Sequence, residues 1–132
     1  MAECLRTGMN HMQYDSSKHV SAYLCMTKDI GVGGNLFGGT MMAWMDEAAA
    51  IFAHQYTHST RMVTLRYTEL LFKEAVRVGD IVHIYADNPR IGRTSVTFDL
   101  EGRVDTRVVF QTTATFVAVD EAGRPTPIAL GD

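Results

Sequence analysis

The chain has 132 residues, of which 46% are hydrophobic and 20% charged, so it suits one domain that can form a hydrophobic core. Its formal net charge of −3 and pI near 5.9 argue against a dedicated nucleic-acid-binding protein. The two cysteines, Cys4 and Cys25, are too few for a disulfide scaffold and lack the spacing of a metal motif.

The termini and the apolar runs suggest where the protein resides. Residues 1–18 lack the apolar segment of a signal peptide. The longest apolar run, roughly Thr40 to Ala53, is shorter than the stretch of about 20 residues that a membrane-spanning helix needs. We therefore expect a cytoplasmic protein with neither a membrane nor a nucleic acid as its partner.

The first half of the chain predicts one strand, one loop and one helix. Residues 1–19 are expected to form a loose N-terminal arm, with a single domain over residues 20–128. A strand is predicted over Val20–Lys28. The loop Asp29–Gly39 follows, with five glycines in eleven residues, and then a long apolar helix from about Gly39 to Tyr56.

The second half reads as strands joined by short turns. Strands are predicted over Arg61–Phe72, with a bend near Glu69, and over Asp80–Asp87, Arg93–Val104 and Arg107–Val119. Short connections predict antiparallel neighbours. The fold class is therefore α+β, with a curved antiparallel sheet of about five strands around one helix. Because that helix is apolar nearly all round, we expect a second copy of the chain to cover part of it, in a dimer or higher oligomer; an ordinary two-layer monomer is the alternative.

Two acidic residues, Asp46 and Glu47, interrupt the apolar helix. A buried carboxylate is costly unless it is paired or used, and the helix offers no Lys or Arg to pair with. Alanines at helical spacing leave room beside Asp46, which favours a catalytic role; a solvated or salt-bridged carboxylate is the alternative. Adjacent helical residues point about 100° apart, so Glu47 is not expected to share the role of Asp46.

Several blocks of the chain resemble one known family. DIGVGGNLFGGTMMAWMDEAAAI, from Asp29 to Ile51, is similar to the signature of the hotdog-fold acyl-CoA thioesterases of the YciA-like and brain acyl-CoA hydrolase group. MVTLR, FKEAVRVGD, GRTSV and VAVDEAGRPTPI match in the same order. The resemblance implies a hotdog fold, an acyl-CoA substrate, and homodimers with composite sites, often assembled as trimers of dimers. It implies no metal and no cofactor beyond the CoA moiety of the substrate.

The resemblance and the helix geometry together suggest a mechanism. Asp46 would act as a general base on water or as a nucleophile, and the backbone N–H groups of Gly38 and Gly39 would stabilise the oxyanion. Gly38 and Asp46 lie eight residues apart, hence about 12 Å along one helix. If both groups are catalytic, one helix cannot supply both to one carbonyl, so two helices must combine.

Further residues are candidates for contacts to CoA. Where the family has Asn two positions after the loop Asp, this chain has Gly31, and Asn35 is the nearest replacement. The matched strand blocks contain Thr64, Arg66, Arg93, Thr94 and Ser95. These side chains suit CoA phosphates or pantetheine, although exposed strand residues of no function are an equal alternative.

Two other functions remain open from the sequence. A non-catalytic acyl-CoA-binding or sensing protein is consistent with the absence of the family Asn. A hotdog dehydratase or hydratase acting on acyl thioesters is the other, but its chemistry usually needs a His, and no His lies in the glycine loop or at the helix start. His54 and His58 have a spacing that can bind zinc but no third ligand in the sequence around them.

Overall fold

A computed structural model describes residues 17–59 and 61–128. Within them, the strand β1 (Lys18–Leu24) is followed by a short 3-10 turn at Thr27–Asp29 and by the helix α1 (Gly38–Thr57). Four strands come next: β2 (Met62–Phe72), β3 (Ile81–Ile91), β4 (Ser95–Val104) and β5 (Arg107–Ala118). The expected N-terminal arm lies outside the described residues except for its last three positions.

The five strands form one antiparallel sheet in the order β1-β3-β4-β5-β2. The helix α1 packs on one face of this sheet, so the expected architecture of a long helix against a five-stranded antiparallel sheet is confirmed. β1 and β2 are the two edge strands of the sheet. In the described part of the chain, no helix is long and apolar enough to cross a membrane.

The core lies between one stripe of the helix and the aromatic residues of the central strands. Buried helix residues recur at the three- and four-residue spacing of one helical face: Met41, Met45, Ala48, Ala49, Phe52 and Ala53. Phe52 packs on Phe98 with ring centroids 4.7 Å apart, and Phe98 in turn packs on Phe116. The opposite side of the helix, which includes Met42 and Ala43, is exposed in the single chain.

Strand β1 ends earlier than the sequence predicts. It stops at Leu24, and the backbone then turns through Thr27–Asp29. The Asp29 carboxylate holds this turn because its Oδ2 accepts the Met26 N–H at 2.9 Å and its Oδ1 accepts Lys28 Nζ at 3.1 Å. Strand propensity through residue 28 is therefore overridden by a local side-chain-to-backbone hydrogen bond.

Strand β3 continues where the sequence predicts a turn at residues 88–92. The ladder with β4 is interrupted by a bulge between Asp87 and Arg90 and then resumes to Ile91. Asn88 takes a left-handed conformation with φ 53°, and its Nδ2 donates to Asp99 Oδ2 at 3.0 Å. Pro89 has no N–H to donate to the ladder. Because a bulge leaves residues unpaired, the strand accommodates the proline there and continues.

Candidate active site

The side chain of Asp46 lies on the exposed side of α1 and faces strand β2. Its Oδ1 accepts a hydrogen bond from Thr64 Oγ1 at 3.1 Å and a second, short one from the Tyr67 hydroxyl. The interpretation of Asp46 as salt-bridged is not supported, because its partners in the described residues are two neutral hydroxyl groups. Two of the alanines expected to leave space beside it, Ala49 and Ala53, instead pack in the core.

Tyr67 was not singled out from the sequence. Burial raises the pKa of Tyr67 far above its ordinary value of 10.0, and the hydrogen bond to the Asp46 carboxylate and the charge of that carboxylate add to the rise. The phenol therefore stays protonated at neutral pH and donates to Asp46. No local pattern marks Tyr67, because its contact with Asp46 depends on the pairing of β2 with the rest of the sheet.

Glu47 points to the other edge of the sheet. It faces Tyr23 of β1, whose pKa is raised first by burial and then by the Glu47 carboxylate. The Tyr23 ring also stacks on Trp44, with centroids 5.1 Å apart. The two adjacent acids of the helix thus meet opposite edge strands, as the expected angle between adjacent helical residues requires.

The glycine loop folds as a small hairpin that leads into the helix. A bridge pairs Ile30 with Leu36, and within it Gly31 N–H donates to Asn35 O at 2.9 Å. Gly34 takes φ +86°, which a residue with a side chain rarely adopts. A Cβ at Gly31 would lie 3.1 Å from Phe37 Cδ1, so the loop is tightly closed where the family has Asn. Asn35 itself is exposed.

The helix start leaves backbone donors available. Thr40 N–H and Met41 N–H both donate to Phe37 O, at 3.0 and 3.1 Å. In contrast, the N–H groups of Gly38 and Gly39 have no acceptor among the described residues. They carry the positive end of the helix dipole. A cleft of about 300 Å³ lies beside this helix start, and its lining includes Met41, Phe72 and Val76.

The remaining candidate residues are spread over the sheet. Arg66 pairs with Thr115 and, being adjacent to Tyr67 on the strand, points to the face opposite the helix. Arg93 and Thr94 lie in the β3–β4 turn, and Ser95 begins β4, where it pairs with Val117. Arg93 O accepts the Ile128 N–H at 2.9 Å and Thr94 O accepts the Ala118 N–H at 2.8 Å. Only Thr64 of this set contacts Asp46; the contacts of all of them to CoA stay predictions.

The two histidines near the helix end make separate local contacts. His54 Nδ1 donates to Ala50 O at 2.7 Å, and His58 ends the helix with φ 57°. Throughout residues 17–59 and 61–128, no cluster of three or more His, Cys, Asp or Glu side chains has the geometry to hold a metal ion.

Comparison with known proteins identifies the family. The family model of the Thioesterase superfamily matches residues 33–111, which contain α1 and most of the sheet. The acyl-CoA thioester hydrolase YciA of Salmonella typhimurium is 37% identical over 116 residues, covering 81% of this chain and 86% of the relative.

Solved structures agree with the sequence comparison. A hexameric thioesterase from Yersinia pestis superposes with a TM-score of 0.80 at 34% identity, covering 86% of this chain and 97% of that one. A hexameric broad-specificity acyl-coenzyme A thioesterase superposes with a TM-score of 0.77 at 31% identity, covering 91% of this chain and 86% of that one. A hexameric hotdog fold thioesterase of Campylobacter jejuni superposes with a TM-score of 0.74 at 28% identity, covering 85% of this chain and 90% of that one. The chain therefore belongs to the Thioesterase superfamily and has the hotdog fold.

Proposed function

We propose that this protein hydrolyses acyl-CoA thioesters to the free acid and CoA. The observation that carries the proposal is the placement of Asp46, which is exposed on a mostly apolar helix and held by two hydroxyl groups of β2. The similarity to acyl-CoA thioester hydrolases supports the substrate class.

The reaction needs a base or nucleophile and a group that stabilises the oxyanion. In the general-base form, Asp46 takes a proton from water while the water oxygen attacks the thioester carbonyl carbon. The carbon–sulfur bond then breaks, and the CoA thiolate receives that proton. In the nucleophilic form, the carboxylate attacks the carbonyl carbon, the carbon–sulfur bond breaks and the CoA thiolate leaves. Water then hydrolyses the resulting anhydride, which releases the acid, regenerates the Asp46 carboxylate and supplies the proton that the thiolate takes up. Both forms place negative charge on the carbonyl oxygen. The N–H groups of Gly38 and Gly39 are suited to stabilise this charge by donating hydrogen bonds to it.

A single protomer does not complete this site. Gly38 and Asp46 belong to one continuous helix and are therefore about 12 Å apart, whereas both must lie within about 3 Å of one reacting group. We propose that Asp46 of one protomer works with the helix start of its partner. The exposed helix side around Met42 and the exposed Val63 and Leu65 of the edge strand β2 supply apolar surface for such a partner.

The assembly is proposed as a homodimer that associates further into a trimer of dimers. The hexameric state of the related thioesterases supports this. Size-exclusion chromatography with light scattering tests it directly. An active monomer would contradict the composite site, while a hexamer or a dimer agrees with it.

A thiol-release assay with short-, medium- and long-chain acyl-CoAs tests the activity. Asp46→Asn is expected to lower kcat by at least about 100-fold, because it removes the base or nucleophile. Glu47→Gln is the matched control, since it neutralises the adjacent helix acid that faces β1, and it should stay near the wild-type rate. If the wild-type protein binds acyl-CoA but releases no thiol, the chain is a binding or sensing protein. If enoyl-CoA is hydrated instead, the dehydratase or hydratase alternative holds.

A further inference from the structure

Thr64 and Tyr67 reach the same carboxylate oxygen from one strand, although their spacing should separate them. Side chains three positions apart in a regular strand point to opposite faces of the sheet. Here both hydroxyl groups lie on the helix-facing side and both donate to Asp46 Oδ1. Some irregularity in β2 must therefore bring them to one face.

The irregularity is a bulge at Leu65. Thr64 pairs with Phe116 and Tyr67 pairs with Ala114, so a step of three residues on β2 matches a step of two on β5. Phe116 and Ala114 are both buried on the side that packs against the helix. The extra residue, Leu65, is exposed, and it shifts the alternation of β2 so that Thr64 and Tyr67 share that side.

The two hydrogen bonds to the Asp46 carboxylate both go to Oδ1, and this determines which carboxylate oxygen remains for the reaction. A carboxylate oxygen accepts about two hydrogen bonds, so Thr64 and Tyr67 together occupy Oδ1. Oδ2 receives no hydrogen bond from the described residues. The Tyr67 ring is itself fixed, because it packs edge-on against Phe116 with centroids 6.5 Å apart. The arrangement holds Asp46 in one orientation with a single oxygen free.

We propose that Tyr67 is a positioning residue which, together with Thr64, holds Asp46 so that Oδ2 is the oxygen that takes the proton from water or attacks the thioester. Its role in turnover rests on the proposed thioesterase function, whereas the contact itself does not. The Tyr67 hydroxyl donates to Asp46 and acts on the reaction through that carboxylate.

The kinetic test is Tyr67→Phe in the full-length, assembled protein. This substitution keeps the ring packed on Phe116 and removes only the hydroxyl. We expect kcat in the thiol-release assay to fall about tenfold or more, the scale of a hydrogen bond to a charged group, with little change in KM. In an Asp46→Asn background, Tyr67→Phe should cause no further loss. Tyr85→Phe, which removes a half-buried phenol elsewhere in the sheet, should leave kcat unchanged.

A second measurement tests the contact independently of activity. A double-mutant cycle of Tyr67→Phe and Asp46→Asn, followed by denaturant unfolding of the four proteins, isolates the contact. Because each change weakens the same hydrogen bond, the two together should destabilise the protein by less than the sum of the single changes. Full kcat in Tyr67→Phe, or an equal loss in both backgrounds, would overturn the proposal. If the wild type releases no thiol, the proposed function is wrong, but this result does not test the contact between Tyr67 and Asp46. The double-mutant cycle then decides on the contact, since additive destabilisation overturns it and non-additive destabilisation supports it.

Discussion

The proposed oxyanion donor at Gly38 can be removed by a single substitution that the helix start tolerates. Gly38 is the first residue of α1, and its N–H has no acceptor among the described residues. Proline is favoured at this helix position because its fixed φ suits the helix and its missing N–H costs no intrahelical hydrogen bond. Gly38→Pro therefore deletes one N–H and leaves the helix hydrogen bonds in place.

The surroundings of Gly38 also fit a proline. The residue before a proline must be extended, and Phe37 already has φ −67° and ψ 134°. A Cβ at Gly38 would meet Phe72 Cε2 at 3.5 Å, which is an ordinary contact distance. We therefore expect Gly38→Pro to fold and assemble like the wild type, which circular dichroism and light scattering would verify.

The expected effect is a selective loss of kcat. Removing one oxyanion donor typically lowers kcat by about 10²–10³, and the thiol-release assay at saturating acyl-CoA would measure it. Gly38→Ala is the matched control, because it adds the same Cβ and keeps the N–H; it should stay near the wild-type kcat. The reasoning is refuted if Gly38→Pro keeps full activity. A loss in Gly38→Ala as large as that in Gly38→Pro would refute it too, since the cause would then be the added carbon.

Two further predictions concern the stability of the sheet. Glu101 and Arg103 form an ion pair at 2.5 Å with both side chains almost fully buried. Glu101→Gln should lower the free energy of unfolding by about 3 kcal/mol or more, because it leaves the Arg103 charge buried without its partner, whereas replacing both residues by Met should lower it by less. Denaturant titration would measure both free energies, and an equal loss in the two variants would contradict the prediction. Burial and the neighbouring His83 lower the pKa of His19 from 6.5. The unfolded state then binds protons more readily, so stability should fall as pH drops through and below about 6.5, and fall less in His19→Gln. Parallel pH profiles for the two proteins would argue against this contribution.

Much of the fold could be predicted because its signals are local. The apolar run after the glycine loop predicts a helix within one residue of the observed Gly38–Thr57. The bend expected near Glu69 corresponds to a ladder irregularity between Thr68 and Leu71, with Glu69 at φ 53°. The errors at Leu24 and Asn88 have different causes. Near Leu24, Asp29 accepts the backbone N–H of Met26 three residues earlier and bends the chain. At Asn88, a bulge and a cross-strand hydrogen bond to Asp99 of β4 let the strand continue, and propensity alone shows neither contact.

The candidate site also has features that the sequence determines and features that only the tertiary structure determines. The sequence by itself determined that Asp46 lies in a long helix, that Glu47 points elsewhere, and that Gly38 is too far along the helix to share one reacting group with Asp46 in the same chain. These conclusions need only the rise and rotation of a helix. Only the tertiary structure decided which groups hold Asp46. The face that a strand residue presents depends on its pairing register, and the one extra residue at Leu65 brings Tyr67 to the side of β2 that faces the carboxylate.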